Sequence, residues 1–150
     1  MSRRERPAAR LLVLDPNDRL LLFRFTPPAG PPFWATPGGA LDPGEDYAVA
    51  AERELFEETG IVADVGTEVA RRLIEFVTIE GEPVTADERY FLIRTASCAI
   101  SSDGHTPLER QVMTAHRWWN RSDLAASSET IFPVDIAALV DRVLGQGDAG

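Results

Sequence analysis

The sequence predicts one domain of the α/β (α+β) class, in which a mixed β-sheet is layered between helices. Three observations support this prediction. Short apolar runs of strand length recur through the chain. Segments with helical periodicity are few and widely separated, which is typical of layered folds. The chain has 150 residues, of which 44% are hydrophobic, and this is enough for one self-sufficient core.

The N-terminal part of the chain predicts a β-hairpin. Ala9–Leu14 and Leu20–Phe25 are apolar runs separated by Asp15-Pro16, which favours a turn. Residues 1–8 are rich in arginine, and we expect them to form a flexible tail. The proline-rich segment 26–32 that follows the hairpin is neither a helix nor a central strand.

The clearest helix is predicted over residues 46–59, with Asp46 as its N-cap and Gly60 as the left-handed residue that ends it. A second helix is expected over Val134–Leu144, and residues 146–150 should fray. The segment 101–111 is expected to be a loop. Further strands are expected at Val69–Ile79, Tyr90–Thr95 and Ala115–Trp119.

Charge and cysteine content exclude several classes of function. The 15 basic side chains are all arginine and face 24 acidic ones, a net charge of −9. The absence of lysine excludes Schiff-base and P-loop chemistry. The acidic balance argues against binding a nucleic-acid polymer or an anionic membrane. The single Cys98 and the lack of a visible targeting signal lead us to expect a cytoplasmic protein.

Three glutamates of the first predicted helix stand at positions where they should repel one another. Glu54, Glu57 and Glu58 are spaced i, i+3 and i+4, which places them on one side of the last helical turn. The helix dipole is already negative there. A solvated acidic face paired with Arg53 is the ordinary explanation. The alternative is a site for Mg²⁺ or Mn²⁺, whose preferred ligands are oxygen atoms.

The residues around these glutamates favour the second explanation. The segment from Gly39 to Ile61 resembles a complete Nudix box: glycine, five residues, glutamate, seven residues, then the pattern R-E-U-x-E-E-x-G-U, where U is a bulky apolar residue. Every defining position is matched, by Gly39, Glu45, Arg53, Glu54, Leu55, Glu57, Glu58, Gly60 and Ile61. Seven fixed identities at residue frequencies of about 5–7% coincide by chance about once in 10⁸ to 10⁹ windows.

The resemblance implies a Nudix-type α/β/α sandwich and a fixed reaction class. That class is metal-dependent hydrolysis of a pyrophosphate bond, by attack of water at phosphorus, in a nucleoside diphosphate linked to another moiety. The implied metal ligands are the three helix glutamates and the carbonyl group of Gly38. Arg53 and Glu45 are expected to orient the helix and the preceding loop.

The general base is left between two residues. Members of the family use either a glutamate of the helix, here Glu54, or a glutamate of a later loop, here Glu109. A solvated surface glutamate is an equally good explanation of Glu109, and Asp87 and Glu88 are weaker alternatives.

The box does not identify the substrate. Arg24 and Trp34 are weak candidates for contacts to phosphate and base. A nucleoside triphosphate, an oxidised nucleotide, ADP-ribose and a dinucleotide polyphosphate all remain open, as does a homodimer. The alternative function is a non-catalytic nucleotide-sensing domain, although such a domain would be expected to lack a box glutamate. A prenyl-diphosphate isomerase is rejected because Cys98 lies far from the box.

Overall fold

The computed structural model describes residues 4–78, 81–96 and 98–148. The strands are β1 (Arg4–Leu14), β2 (Leu20–Phe25), β3 (Phe33–Ala35), β4 (Gly38–Ala40), β5 (Ala70–Val77), β6 (Pro83–Arg94), β7 (Met113–Trp119) and β8 (Ile131–Phe132). The helices are α1 (Tyr47–Thr59), α2 (Pro107–Val112), α3 (Arg121–Ala126) and α4 (Ile136–Asp148). None of these described helices is long and apolar enough to cross a membrane.

The strands form one mixed sheet, as predicted. The order along the sheet is β5-β6-β1-β2-β3-β8, while β4 pairs with β1 and β7 pairs with β2. The β1–β6 and β3–β8 pairs are parallel, and the other pairs are antiparallel. The predicted hairpin is present, because Leu14 of β1 lies opposite Leu20 of β2.

Helices cover both faces of the sheet, which confirms the layered arrangement. Side chains alternate along β1, so that Leu11 and Val13 pack in one core cluster with Leu55 of α1. Leu12 and Leu14 pack in a second cluster with residues of α4. The sheet is therefore buried on both sides, and α1 is held rigidly against one of them.

The predicted caps of α1 are confirmed. The Asp46 side chain accepts a hydrogen bond of 2.8 Å from the backbone N–H of Val49. Gly60 has a φ of 79° and donates its backbone N–H to the Phe56 carbonyl at 2.8 Å. The box helix therefore begins and ends at the predicted residues.

The chain termini differ from the predictions. β1 begins at Arg4, so residues 4–8 belong to the sheet rather than to the expected tail; residues 1–3 lie outside the described residues. Residues 4–8 of β1 pair in parallel with the first part of β6, which was also not predicted as strand. α4 runs to Asp148, past the point where fraying was expected, and residues 149 and 150 lie outside the description.

The expected loop at residues 101–111 contains α2. Thr106 is the N-cap and accepts a hydrogen bond of 3.1 Å from the Glu109 backbone N–H. The Glu109 side chain in turn accepts one of 2.9 Å from the Thr106 N–H, which completes a capping box. Glu109 therefore lies on a short helix with a defined orientation.

Candidate metal centre and active site

Three carboxylates from two helices converge beside the sheet. Glu54 and Glu58 lie one turn apart on α1, and Glu109 reaches them from α2. One oxygen of each carboxylate lies within 4.8 Å of the others. Glu54 is 8% exposed and Glu58 is 2% exposed, while Glu109 is partly exposed. We call these three residues the carboxylate cluster.

The loop before α2 brings Glu109 to this position by binding the C-terminal end of α1. The Ser101 N–H donates to the Thr59 carbonyl at 2.9 Å, and His105 Nε2 lies 2.8 Å from the Glu58 carbonyl oxygen. A Cβ atom on Gly104 would lie only 2.6 Å from the Glu57 carbonyl oxygen, so only glycine allows this approach. The loop thereby satisfies carbonyl groups that a helix end leaves open.

The carboxylate cluster lacks sufficient positive charge, and this changes the ionisation of its members. Burial, the charge of Glu54 and a hydrogen bond that protonated Glu58 donates to the Glu109 carboxylate raise the pKa of Glu58 well above its usual value. Burial also raises the pKa of Glu54, against the opposing effect of Arg53. A buried set of oxygen donors with excess negative charge fits a divalent cation such as Mg²⁺ or Mn²⁺.

Gly38 contacts the carboxylate cluster through its backbone. Its N–H donates to Glu58 Oε2 at 2.6 Å, whereas its carbonyl oxygen lies 3.4 Å from Nη1 of Arg10. The φ of Gly38 is +135°, and a Cβ atom there would overlap the Ala9 carbonyl oxygen. Only glycine can occupy this position. The box resemblance implied the Gly38 carbonyl as a ligand, and in this structure that carbonyl faces Arg10.

Arg53 pairs with the carboxylates on the other side of α1. Its guanidinium makes a bidentate pair with Glu45, at 2.7 and 2.9 Å. Nη1 also lies 3.0 Å from Glu54 Oε1 and 3.0 Å from Glu57 Oε2. The hydrogen bonds from Arg53 lower the pKa of Glu45 to about 2. This geometry agrees with the expectation that Arg53 and Glu45 orient the helix and the loop.

Glu57 lies apart from the carboxylate cluster, although the resemblance places it among the metal ligands. Its side chain is 39% exposed and is paired with Arg53. At about 100° per residue, Glu57 projects about 40° from Arg53 and about 60° from Glu54 around the helix axis. The arginine therefore draws Glu57 towards the rim of the site.

The alternative bases lie elsewhere. Asp87 is bound by Arg71 at 2.8 Å, and Glu88 is bound by Arg10 at 2.9 Å. Neither carboxylate belongs to the cluster of described residues that could hold a metal ion. Glu54 and Glu109 therefore remain the two candidates.

The two weak substrate-binding candidates have different surroundings. Trp34 is buried, donates Nε1 to Glu129 at 3.2 Å and packs edge-to-face on Trp119, with ring centroids 5.2 Å apart. This ring is part of the core, which does not favour base stacking. Arg24 is half-buried on β2, with Nη1 3.4 Å from the Thr26 hydroxyl.

A cleft of about 410 Å³ adjoins the loop and α2. Its lining includes Phe23, His105, Arg110 and His116. His105 contacts the Glu58 backbone, and Arg110 directly follows Glu109. Sequence reasoning left both histidines unassigned, because their spacing predicts no metal site.

The comparisons with known proteins agree with the fold and with the box. The NUDIX domain profile matches residues 4–139, so the chain belongs to the NUDIX domain family.

Curated relatives match over the region around the box. An RNA pyrophosphohydrolase of Caulobacter vibrioides is 43% identical over 58 residues, which are 39% of this chain and 34% of the relative. A Bacillus subtilis protein provisionally assigned as an 8-oxo-dGTP diphosphatase is 38% identical over 59 residues, covering 39% of this chain and 38% of that protein. These matches therefore span little more than a third of each relative's length.

Solved structures match over nearly the whole chain. The MutT protein from Methanosarcina mazei Go1 has a TM-score of 0.68 at 17% identity, covering 98% of both chains. A C. elegans Ap4A hydrolase has a TM-score of 0.61 at 21% identity, covering 97% of this chain and 98% of the other. At these identities the likeness shows a common fold.

Proposed function

We propose that this protein is a metal-dependent hydrolase that cleaves a pyrophosphate bond in a nucleoside diphosphate linked to another moiety. The observation that carries the proposal is the gathering of Glu54, Glu58 and Glu109 into one buried oxygen cluster. Two of these residues belong to the box, and all of its glutamates are present. Burying this much negative charge is costly unless a cation balances it, which favours a metal-dependent reaction.

Glu54 and Glu58 of the carboxylate cluster would hold Mg²⁺ or Mn²⁺, with Glu57 at the rim as a further ligand. The cation would neutralise phosphate oxygens and lower the pKa of a bound water. Arg53 holds Glu54 and Glu57 in place during the reaction. An acidic protein with a net charge of −9 needs such a cation to accept an anionic substrate.

Of the two candidate bases, Glu109 suits proton transfer better. Glu54 is nearly buried and is held by Arg53 in an ion pair of 3.0 Å, which suits a fixed ligand. Glu109 is partly exposed and can exchange a proton with solvent, while its capping hydrogen bond keeps it beside Glu58. We therefore assign the base to Glu109 and a ligand role to Glu54.

The substrate class follows from what the relatives have in common. The names of the matched proteins concern a pyrophosphate of RNA, an oxidised nucleoside triphosphate and a dinucleoside polyphosphate. All three contain a phosphoanhydride next to a nucleoside. The net charge of −9 disfavours contacts along an RNA chain, so a small nucleotide is the expected substrate.

A hydrolysis screen tests the proposal. Wild type, Glu58→Gln and Glu52→Gln would be compared on nucleoside triphosphates, 8-oxo-dGTP, ADP-ribose, diadenosine polyphosphates and a 5′-triphosphate RNA oligonucleotide, with Mg²⁺, Mn²⁺ or EDTA. Glu52 is the matched control because it lies exposed on the same helix. Turnover that needs metal and Glu58 but not Glu52 is expected. Metal-independent nucleotide binding without turnover would contradict the proposal and favour a sensor.

A further inference from the structure

A largely buried ion pair lies next to the carboxylate cluster, in residues outside the box. Arg10 of β1 and Glu88 of β6 are joined by a bond of 2.9 Å between Nε and Oε2. Glu88 is 5% exposed, and Tyr90, fully buried, donates its hydroxyl to Glu88 Oε1 at 3.2 Å. Burying two charges costs free energy that their attraction only partly offsets. Stabilisation of the fold therefore does not by itself explain why this ion pair is present.

The pair is connected to the carboxylate cluster through one glycine. Arg10 lies directly opposite Gly38 in the β1–β4 register, and its Nη1 atom lies 3.4 Å from the Gly38 carbonyl oxygen. The N–H of the same glycine donates to Glu58 at 2.6 Å. A continuous line of contacts thus runs from Tyr90 through Glu88, Arg10 and Gly38 to Glu58.

The contact of Arg10 with Gly38 and its pairing with Glu88 each have a physical reason. Glycine has more backbone freedom than any other residue, so the orientation of Gly38 needs contacts that hold it. Arg10 is also close enough to Glu58 for their charges to interact. Without Glu88, the guanidinium would be attracted to Glu58 and would compete with a cation for that carboxylate.

We propose that Arg10 and Glu88 are a positioning pair: Arg10 holds the Gly38 backbone beside Glu58, and Glu88 keeps the Arg10 charge away from that carboxylate. The inference rests on the proposed function, in which Glu58 helps to hold a divalent cation. Neither residue needs to touch the substrate.

The test is Mn²⁺ affinity in the absence of nucleotide, measured for Arg10→Met, Glu88→Gln and the double variant. Glu88→Gln keeps the shape of the side chain but frees the Arg10 charge, so its affinity should fall by about tenfold or more. Arg10→Met loses the contact to the Gly38 carbonyl and the pair with Glu88, but it leaves no competing cation beside Glu58, so its affinity should fall less. Removing Arg10 from the Glu88→Gln protein should restore affinity to the level of Arg10→Met.

The matched control is a second ion pair near the start of the same two strands, where Arg4 begins β1 and Glu82 directly precedes β6. Arg4 and Glu82 are joined by bonds of 2.8 and 2.7 Å and are exposed. Arg4→Met and Glu82→Gln should leave Mn²⁺ affinity unchanged. Thermal unfolding of every variant identifies any that fails to fold, and Arg10→Gln then replaces Arg10→Met in the single and double variants.

The outcomes separate this inference from the proposed function. If wild type binds Mn²⁺ and the Arg10 and Glu88 variants bind it equally well, the positioning pair is wrong and the hydrolase proposal survives. If the double variant binds more weakly than Glu88→Gln, the pair is merely structural, and the inference is again overturned. If wild type does not bind Mn²⁺, the proposed function fails and this inference fails with it. At saturating metal, an unchanged KM for nucleotide with a lower kcat supports positioning, whereas a raised KM alone would contradict it.

Discussion

The two sides of α1 carry similar numbers of acidic groups but treat them in opposite ways. On one side, Arg53 pairs with both Glu45 and Glu57, so each of these carboxylates has a basic partner within the box. On the other side, Glu58 and Glu109 lie together, and no basic side chain in the described residues forms an ion pair with either. Glu54 lies between the two sides and belongs to both. The side with Arg53 therefore needs no further cation to hold its structure, whereas the side with Glu58 and Glu109 needs one.

The largest effect on activity should come from removing one charge on the side of α1 that has no basic partner. Glu58→Gln should lower metal-dependent hydrolysis by at least about 10²-fold, since even groups that only support a metal ligand are worth 10–100-fold. Glu57→Gln should lower it less, because Arg53 holds Glu57 at the rim. Steady-state kinetics with Mg²⁺ checks both. Equal losses would remove the distinction between the two sides.

The same substitution should have the opposite effect on stability. The raised pKa of Glu58 means that folding favours its protonated form, so this contribution to the free energy of unfolding is full below pH about 4.5 and is lost as the pH rises. In EDTA at pH 7, Glu58→Gln should therefore melt at a higher temperature than wild type, and the difference should shrink towards pH 5.

Thermal unfolding across this pH range provides the measurement, with Glu52→Gln as the control. The contribution of Glu45 to the free energy of unfolding has the opposite pH dependence. Its pKa of about 2 gives a contribution that is present above pH about 4.5 and is lost in acid. A wild-type protein that is as stable as Glu58→Gln at pH 7 without metal would show that Glu58 is not under electrostatic stress.

On the side where Arg53 pairs with the carboxylates, a substitution should mainly lower the stability of the fold. Arg53→Met removes a bidentate pair and leaves Glu45 and Glu57 without their partner, so the free energy of unfolding should fall by about 1.5–3 kcal/mol. Urea unfolding checks this value. Arg121→Met, which breaks an exposed pair with Asp141, should cost less than about 1 kcal/mol. A similar cost for both would mean that the Arg53 pairs are ordinary surface pairs.

The smallest effect should come from the N-terminal end of α1. Asp46→Ala removes the cap on Val49 and should cost about 1 kcal/mol of unfolding free energy. The metal affinity should stay unchanged, because the carboxylate cluster lies at the other end of the helix. Calorimetric titration with Mn²⁺ is the check. A loss of affinity would indicate that the whole helix, rather than its last turn, responds to the cap.

Local patterns in the sequence were sufficient for much of the fold and for two of the three residues of the carboxylate cluster. The bounds of β2 and the caps of α1 follow from residues that are adjacent in the chain. The spacing of Glu54 and Glu58 places them on one helix face whatever the rest of the chain does. The pairing of Glu45 with Arg53 was expected from the box resemblance.

The remainder depends on contacts between distant residues. Glu109 reaches the cluster only because the 101–106 loop binds the end of α1, although Thr106-Pro107 followed by Glu109 is a helix-start signature that could have predicted α2. The length of β1 depends on its parallel partner β6, which no local pattern identifies. Trp34 could not be assigned to the core or to a binding site before its contact with Trp119 was known.

The most direct test of the cation site is a crystal structure of the protein grown with Mn²⁺, with anomalous diffraction used to locate the ion. We expect an anomalous peak bound by carboxylate oxygens of Glu54 and Glu58, beside Glu109. A peak confined to the Glu57 rim, or no peak at a Mn²⁺ concentration that supports hydrolysis, would contradict the assignment of the carboxylate cluster as the metal centre.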